Sequence, residues 1–393
     1  MPQFLTERVL RERLAELGEA VEFGQEMLGF TQDLDGVTAR LATTAGEETV
    51  RARYLIGADG GRSVVRHALG IGFPGKTLGV RALVADVMVE GVGRDAWHRW
   101  SEGDMARQMA LCPLSGTQLF QLQAPVPLEG DVDMSASGLT QMLHERTGRD
   151  DIVIRSVAWG SAYSMNARLS DRYRVGRALL AGDAAHTHPP TGAQGLNTSL
   201  QDSYNLGWKL ASVLGGALDA LLDSYEAERR PIAEHMLGLS TRLLDDTRRG
   251  INRRGREVQQ LDIGYSGSFL AVEMPERTGG LLAGDRAPDA PLMGAAGQRV
   301  RLFEVMKGPH WTTIGYEAAP GTGPAPRRNL HVRHVDAHGD LRDIDGHFAA
   351  AYGLAPGSWI LIRPDGYIGA IFSGEHSNAL DSYLSAVGLA GKV

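Results

Sequence analysis

The stretch RALLAGDAAHTHPPTGAQGLNTSLQDSYNLGWKLASVL, residues 177–214, sets the reading of the whole chain. An apolar run over residues 178–181 stops at Gly182-Asp183, and the double proline Pro189-Pro190 with further turn residues follows. Apolar positions then recur at helical spacing at Leu196, Leu200, Tyr204, Leu206 and Leu210. The spacing predicts a strand, an acidic turn, a loop and a long helix. Such an arrangement sets the carboxylate of Asp183 at the mouth of a strand and aims backbone N–H groups and a positive helix end at whatever lies beside residues 192–197. It suits an electron-rich, polyhydroxylated cofactor.

Composition narrows the class. A chain of 393 residues, 43% hydrophobic and 22% charged, has the length for two or three domains with cores of their own. The formal net charge of -7 gives no basic footprint, which argues against nucleic acid or an anionic membrane as partner. The single cysteine, Cys112, excludes an internal disulfide and a cysteine-built metal site and fits a reducing, cytoplasmic setting. No apolar run approaches the roughly 20 residues that span a bilayer.

Taken in order, residues 1–17 open inside a helix with Phe4, Leu5, Val9, Leu10, Leu14 and Leu17 on one apolar face. Short alternating segments over 21–50 read as a strand meander, and residues 53–56 as the next strand. That strand runs into GADGGRSVVRHAL, residues 57–69, which repeats the opening design: strand, glycine-rich acidic turn, and a helix that Ser63 is placed to cap. Residues 81–127 and 151–164 alternate as strands of a mostly antiparallel sheet, with a short amphipathic helix over 135–146 between them. Residues 218–246 read as helical, with Pro231 expected to kink or restart the helix. Residues 250–280 read as a linker, and from Gly284 onward strands and helices alternate as an independent α/β unit.

Two acidic glycine turns more than a hundred residues apart, with a sheet between them, carry a family resemblance. GADGGRSVVR and RALLAGDAAHTHPPTGAQGLN resemble the DG and GD motifs of the FAD-dependent aromatic hydroxylases, the class A flavoprotein monooxygenases, and most closely the branch of aromatic polyketide hydroxylases and rifampicin monooxygenase. The resemblance implies a mixed α/β fold. Its FAD/NAD(P)-binding Rossmann-like domain is incomplete and occupies residues 1–80 and 166–250, with an inserted antiparallel substrate sheet over 81–165. A linker over 251–280 leads to a C-terminal thioredoxin-like domain over 281–393, which has no Cys-x-x-Cys and is therefore incapable of dithiol chemistry.

The resemblance also implies roles. Asp183 accepts hydrogen bonds from the ribityl hydroxyls; Pro190 lies beside the flavin ring and the substrate; Gly192, Gly195, Leu196 and Asn197 offer N–H groups to the pyrimidine edge. Gln3 touches the flavin chain, and Asp59 with Arg66 forms the DG-motif pair near the pyrophosphate and the nicotinamide route. The implied reaction is reduction of FAD by NAD(P)H, capture of O2 as a flavin C4a-hydroperoxide, and transfer of one oxygen to an aromatic or polyketide-type substrate. Because the cofactor performs the hard step, no catalytic side chain is singled out. Homodimerisation is left open.

Members of the family begin with a strand and a G-x-G-x-x-G turn, and this chain contains no G-x-G-x-x-G. The expectation is a chain truncated at its N-terminus with weak FAD binding, or, as the alternative, a non-catalytic relic that binds an aromatic ligand. His186 and His188, at i, i+2 spacing, read as structural rather than metal-ligating, for no carboxylate or cysteine stands close in sequence. There is no G-x-S-x-G elbow of a hydrolase. Trp97, Trp100 and Met105 are candidate cavity-lining residues of the sheet.

Overall fold

A computed structural model of the chain describes residues 2–101, 104–189, 194–249, 255–319, 321–325 and 327–389. Helix α1 (Gln3–Glu16) leads into an antiparallel meander of β1 (Glu26–Gln32), β2 (Val37–Thr43) and β3 (Gly46–Ala52). The first glycine turn lies between β4 (Leu55–Gly57) and α2 (Val64–Ala68). There follow β5 (Gly75–Glu90), β6 (His98–Trp100), β7 (Met109–Pro113), β8 (Phe120–Val126), α3 (Ala136–Thr147) and β9 (Val153–Leu169). The chain then returns through β10 (Arg174–Val175), β11 (Ala178–Leu180) and β12 (His186–Thr187) to the long helices α4 (Gly195–Leu214) and α5 (Asp223–Arg248). The C-terminal part holds β13 (Val272–Met274), β14 (Pro291–Gly294), β15 (Arg299–Arg301), α6 (Leu302–Val305), β16 (Trp311–Tyr316), β17 (Leu330–Val335), β18 (Leu341–Arg342), α7 (His347–Tyr352), β19 (Ser358–Ile362), β20 (Ile368–Ser373) and α8 (Ser377–Ala386).

The smallest sheet matters most for the site. β11 pairs parallel to β4, with Ala178 opposite Leu55 and Leu180 opposite Gly57. Parallel strands end on the same side, so the two glycine turns that follow them are delivered next to each other. The Ala181 N–H donates to Gly57 O at 3.0 Å and prolongs the pairing into the turns.

The inserted sheet has six strands in the order β12-β9-β5-β8-β7-β6, all antiparallel. Leu83, Ala85 and Val87 of β5 point to one face and pack with Phe120, Leu122, Leu139 and Leu143 under α3, as period-two alternation requires. Trp100, a candidate for cavity lining, packs against this core, and Trp97 stands 60% exposed. The side chain of Met105 lies outside the described residues.

The C-terminal sheet runs β13-β20-β19-β16-β17-β18-β14-β15, with β16 parallel to β17 and antiparallel to β19. Apolar clusters cover both faces, and the neighbouring strands Ser358–Ile362 and Ile368–Ser373 read accordingly as mostly apolar runs. Val272–Met274, inside the segment expected to be a linker, pairs parallel with Ala370–Phe372; its short length hides it from pattern reading. Two other features depart from the sequence reading. Helix α5 continues through Pro231, and α1 buries none of its residues, leaving Phe4, Val9 and Leu10 between 43% and 55% exposed.

Helix α4 inverts the ordinary pattern. Its apolar stripe Leu196, Leu200 and Tyr204 is exposed, whereas Asp202, Asn205 and Lys209 are buried against α5. Lys209 Nζ meets Glu228 Oε2 at 2.6 Å, and Arg363, from the turn after β19, grips both Glu228 oxygens at 2.8 Å. Arg363 also reaches Asp365 at 2.6 Å and 2.9 Å, and Asp365 accepts from Trp208 Nε1 at 2.8 Å. Two acids and two cations therefore balance at the seam between α4, α5 and the C-terminal unit. Burial opposes ionisation of Glu228, but Arg363 and Lys209 hold its pKa below the ordinary carboxylate range. Lys209 is pushed down to about 7, chiefly by burial.

Removing one member strands its partners, and an uncompensated buried charge costs about 3–5 kcal/mol. Arg363→Met is expected to lower the unfolding free energy by about that amount. Lys209→Met should cost clearly less, because Arg363 still neutralises Glu228. Urea unfolding of the two variants side by side checks the order; equal losses would refute this division of labour.

Candidate functional site

The second glycine turn starts at Gly182, whose φ of 61° lies in the left-handed region that favours glycine. Behind it Asp183 stands exposed at the mouth of β11. Surrounding protein raises its pKa, with His186 partly opposing the shift. Gly195 opens α4, the N-cap Gln194 makes no side-chain capping bond, and the positive end of a twenty-residue helix lies at this first turn. Leu196 is 69% exposed, and Asn197 is exposed beside it. Pro190 and Gly192 lie outside the described residues.

The first turn is built differently from the second. Asp59 Oδ2 accepts from the N–H groups of Val64 and Val65 at 2.7 and 3.1 Å, and Ser63 Oγ accepts from Arg66 N at 2.9 Å, so both cap α2. Arg66 is buried: it donates to Gly61 O and Ala184 O, each at 2.8 Å, and its guanidinium lies 3.8 Å from the Phe73 ring centroid. Arg66 thus ties the two turns together, with the charge of Asp59 acting on it from the same motif. Gln3 is exposed on α1 and donates to Glu7 at 2.8 Å.

Beneath the second turn runs a buried chain of polar groups. His188 Nε2 and His186 Nδ1 are 2.9 Å apart, and His186 Nε2 is 2.6 Å from Asp202 Oδ2. Asp202 Oδ1 accepts from Arg229 Nε at 2.8 Å, and Arg229 continues to Tyr265 Oη at 2.9 Å. Burial opposes ionisation of Asp202, yet the His186 and Arg229 hydrogen bonds hold its pKa below the ordinary value. With a neutral His186 donating to this carboxylate, its Nδ1 would accept from His188, whose Nδ1 is buried with no hydrogen-bond partner among the described residues. Burial, with His186 next to it, pushes the pKa of His188 down to about 3. The carboxylate partner that sequence spacing failed to offer these histidines is Asp202, two turns into α4.

The geometry is that of a cofactor turn held from below, and comparison with known proteins agrees with it. The model of a family described as "FAD binding domain" matches residues 1–240. A flavin-dependent monooxygenase of Mycobacteroides abscessus is 40% identical over 390 residues, 98% of this chain and 78% of the relative. The chain belongs to the FAD-dependent aromatic monooxygenase family. The 12-dehydrotetracycline 5-monooxygenase/anhydrotetracycline 6-monooxygenase of Streptomyces rimosus is 36% identical, over 94% of this chain and 76% of that protein. Among solved structures, a ternary complex of aklavinone-11 hydroxylase with FAD and aklavinone superposes with a TM-score of 0.83 at 26% identity, covering 98% of this chain and 78% of that one. Mixed α/β architecture and FAD as the family's cofactor are thereby established.

This monooxygenase chain presents donors and acceptors that fit the group. An accessible carboxylate at a strand mouth matches hydroxyls, and the positive N-terminal end of a long helix matches an electron-rich edge. Sequence reasoning missed the support beneath them, Asp202, Arg229 and Tyr265. The signal was the acid at position 202, six residues after exposed Leu196 and hence on the opposite side of α4.

Neutral His188 predicts a pH dependence. Its folded pKa of about 3 lies below the unfolded value of about 6.5, so the unfolded chain binds an extra proton between those limits. The stability linked to it is complete above the unfolded value and is lost as pH falls toward the folded one, at up to about 1.4 kcal/mol per pH unit. His188→Gln should flatten this acid slope, read from urea midpoints across the window. An unchanged slope would show that His188 is charged in the folded state.

Proposed function

We propose that this chain, with FAD bound, uses NAD(P)H and O2 to hydroxylate an aromatic, polyketide-type compound. The observation that supports the reading most is the parallel pairing of β4 and β11, which gathers Asp183, the buried Arg66 bridge and the two glycine turns at one end of the sheet. Bound FAD supplies the oxygen-transfer chemistry, and NAD(P)H supplies its electrons. The protein's own residues bind, orient and exclude water.

In this reading Asp183 accepts hydrogen bonds from the ribityl hydroxyls. The first-turn N–H groups at Gly195, Leu196 and Asn197 face the pyrimidine edge, where the positive helix end favours developing negative charge. The family resemblance assigns Gly192 to the same edge and Pro190 to the side of the flavin ring and the substrate, both outside the described residues. The six-stranded sheet is the substrate wall: β12, which follows the cofactor turn directly, is hydrogen-bonded to β9, so a single sheet carries both the cofactor turn and the wall. The relatives' printed activities, on tetracycline and aklavinone skeletons, support a fused-ring substrate.

Titration with FAD, followed by flavin absorbance and by NAD(P)H-dependent incorporation of isotopically labelled oxygen, tests the proposal. Asp183→Ala removes charge-assisted hydrogen bonds and should weaken FAD binding by about tenfold or more. A chain that acquires no flavin absorbance at saturating FAD would overturn the reading.

A further inference from the structure

Asp86 is out of place as a structural residue. On β5, Leu83, Ala85 and Val87 enter the core under α3, so Ala82, Val84, Asp86 and Met88 face the other way. That second face is open, with Trp159 51%, Tyr163 36% and Met88 39% exposed. Register places Gln121 of β8 and Trp159 of β9 directly opposite Asp86, with Gln123 one pair along and Tyr163 two pairs along. Residues paired in this way share a face. Asp86 thus stands between aromatic rings on one side and amides on the other.

Its own surroundings leave it incomplete. Asp86 is 7% exposed, and its Oδ1 is buried with no hydrogen-bond partner. The register of β5 against β9 shifts between Asp86 and Val87, an irregularity of the kind that re-aims side chains and recurs beside active sites. Gln121 has its amide oxygen taken by Gln123 Nε2 at 2.7 Å, which leaves its NH2 group for the carboxyl beside it. Burial raises the pKa of Asp86, Gln121 partly opposes this, and among the described residues no cation offsets it. A leucine here would avoid the desolvation cost altogether. A buried carboxyl with one oxygen left without a donor among the described residues is matched by a donor from outside the protein.

A flat apolar body suits the carrier of that donor, since Trp159 and Tyr163 line the β9 side of the face. Trp159 and Tyr163 are four residues apart on one strand, a span of about 13 Å that suits several fused rings. We propose that Asp86, supported by Gln121, is a specificity-determining residue that hydrogen-bonds a phenolic hydroxyl of a fused-ring substrate laid on the Trp159–Tyr163 face. The proposal rests on the reading of this sheet as the substrate wall and names the group by which the wall tells one polycycle from another.

The test compares binding of 2-hydroxyanthraquinone with that of its methyl ether, by calorimetry on the full chain in the presence of FAD. The wild type should prefer the phenol by about tenfold, the worth of a hydrogen bond to a charged group. Asp86→Leu should abolish the preference, and Asp86→Asn should reduce it. Asp86→Leu should also keep or raise the melting temperature, which a structural role would not allow. Equal binding of phenol and ether by the wild type, retention of the preference in Asp86→Leu, or a sharp loss of thermal stability in that variant would each overturn the proposal. An Asp86-dependent preference without NAD(P)H consumption would leave this site standing and sink the enzymatic reading, whereas turnover without the preference would do the reverse.

Discussion

The structure depends on a ladder of buried charge between α4 and α5. Asp202 and Lys209 are seven residues apart, two helical turns, and so lie on one face of α4. Their partners, Arg229 and Glu228, are neighbours on α5 with opposite signs. Each rung would be costly alone, because ions in a low-dielectric seam must be matched in both charge and hydrogen bonding. Each rung also leads elsewhere. The Asp202 rung runs through His186 to the cofactor turn, and the Glu228 rung runs through Arg363 to the C-terminal unit. Helix α4 is thus fixed in position from two directions. The apolar contact of Trp208 with Trp311, ring centroids 5.3 Å apart, closes the second of them.

Rigid support has a chemical purpose. Donors and acceptors stabilise a developing charge only if they need not move to do so. The two turns are positioned by backbone pairing of β4 with β11, and Arg66 spans them from beneath, with its guanidinium satisfied by two carbonyls. Arg66 itself is buried, whereas Asp183 of the second turn is exposed.

This division explains what could be read from the sequence. The glycine turns, the strands that feed them, the cap at Ser63 and the alternation of β5 are local features, and local chemistry announces them. The buried polar face of α4 was hidden for the opposite reason. Leu196, Leu200 and Tyr204 mark a helix correctly but not its inner side, because partners from α5 and from residue 363, far along the chain, make the polar side the buried one. His186 was read as structural from an absence of nearby ligands, and the acid that makes it so is sixteen residues away. Asp59 and Arg66, seven residues apart in one motif, make different local bonds, Asp59 to the start of α2 and Arg66 to the second turn. Asp86 carried no signal at all: an acid among alternating strand residues reads as solvent-facing until the register places Trp159 and Gln121 across from it.

Two buried acids, then, have opposite meanings in one chain. Asp202 has its oxygens engaged by His186, Arg229 and the Gly182 N–H, and its ionisation is favoured. It behaves as a strut, whose loss would be felt throughout the seam. Asp86 has a bare oxygen, no cation and an ionisation made harder by its surroundings. Among the described residues only the Gln121 amide offsets its desolvation, and it lies on the face of the sheet turned away from the core under α3. Burial alone does not separate support from recognition in this fold; what separates them is whether the protein itself completes the hydrogen bonds.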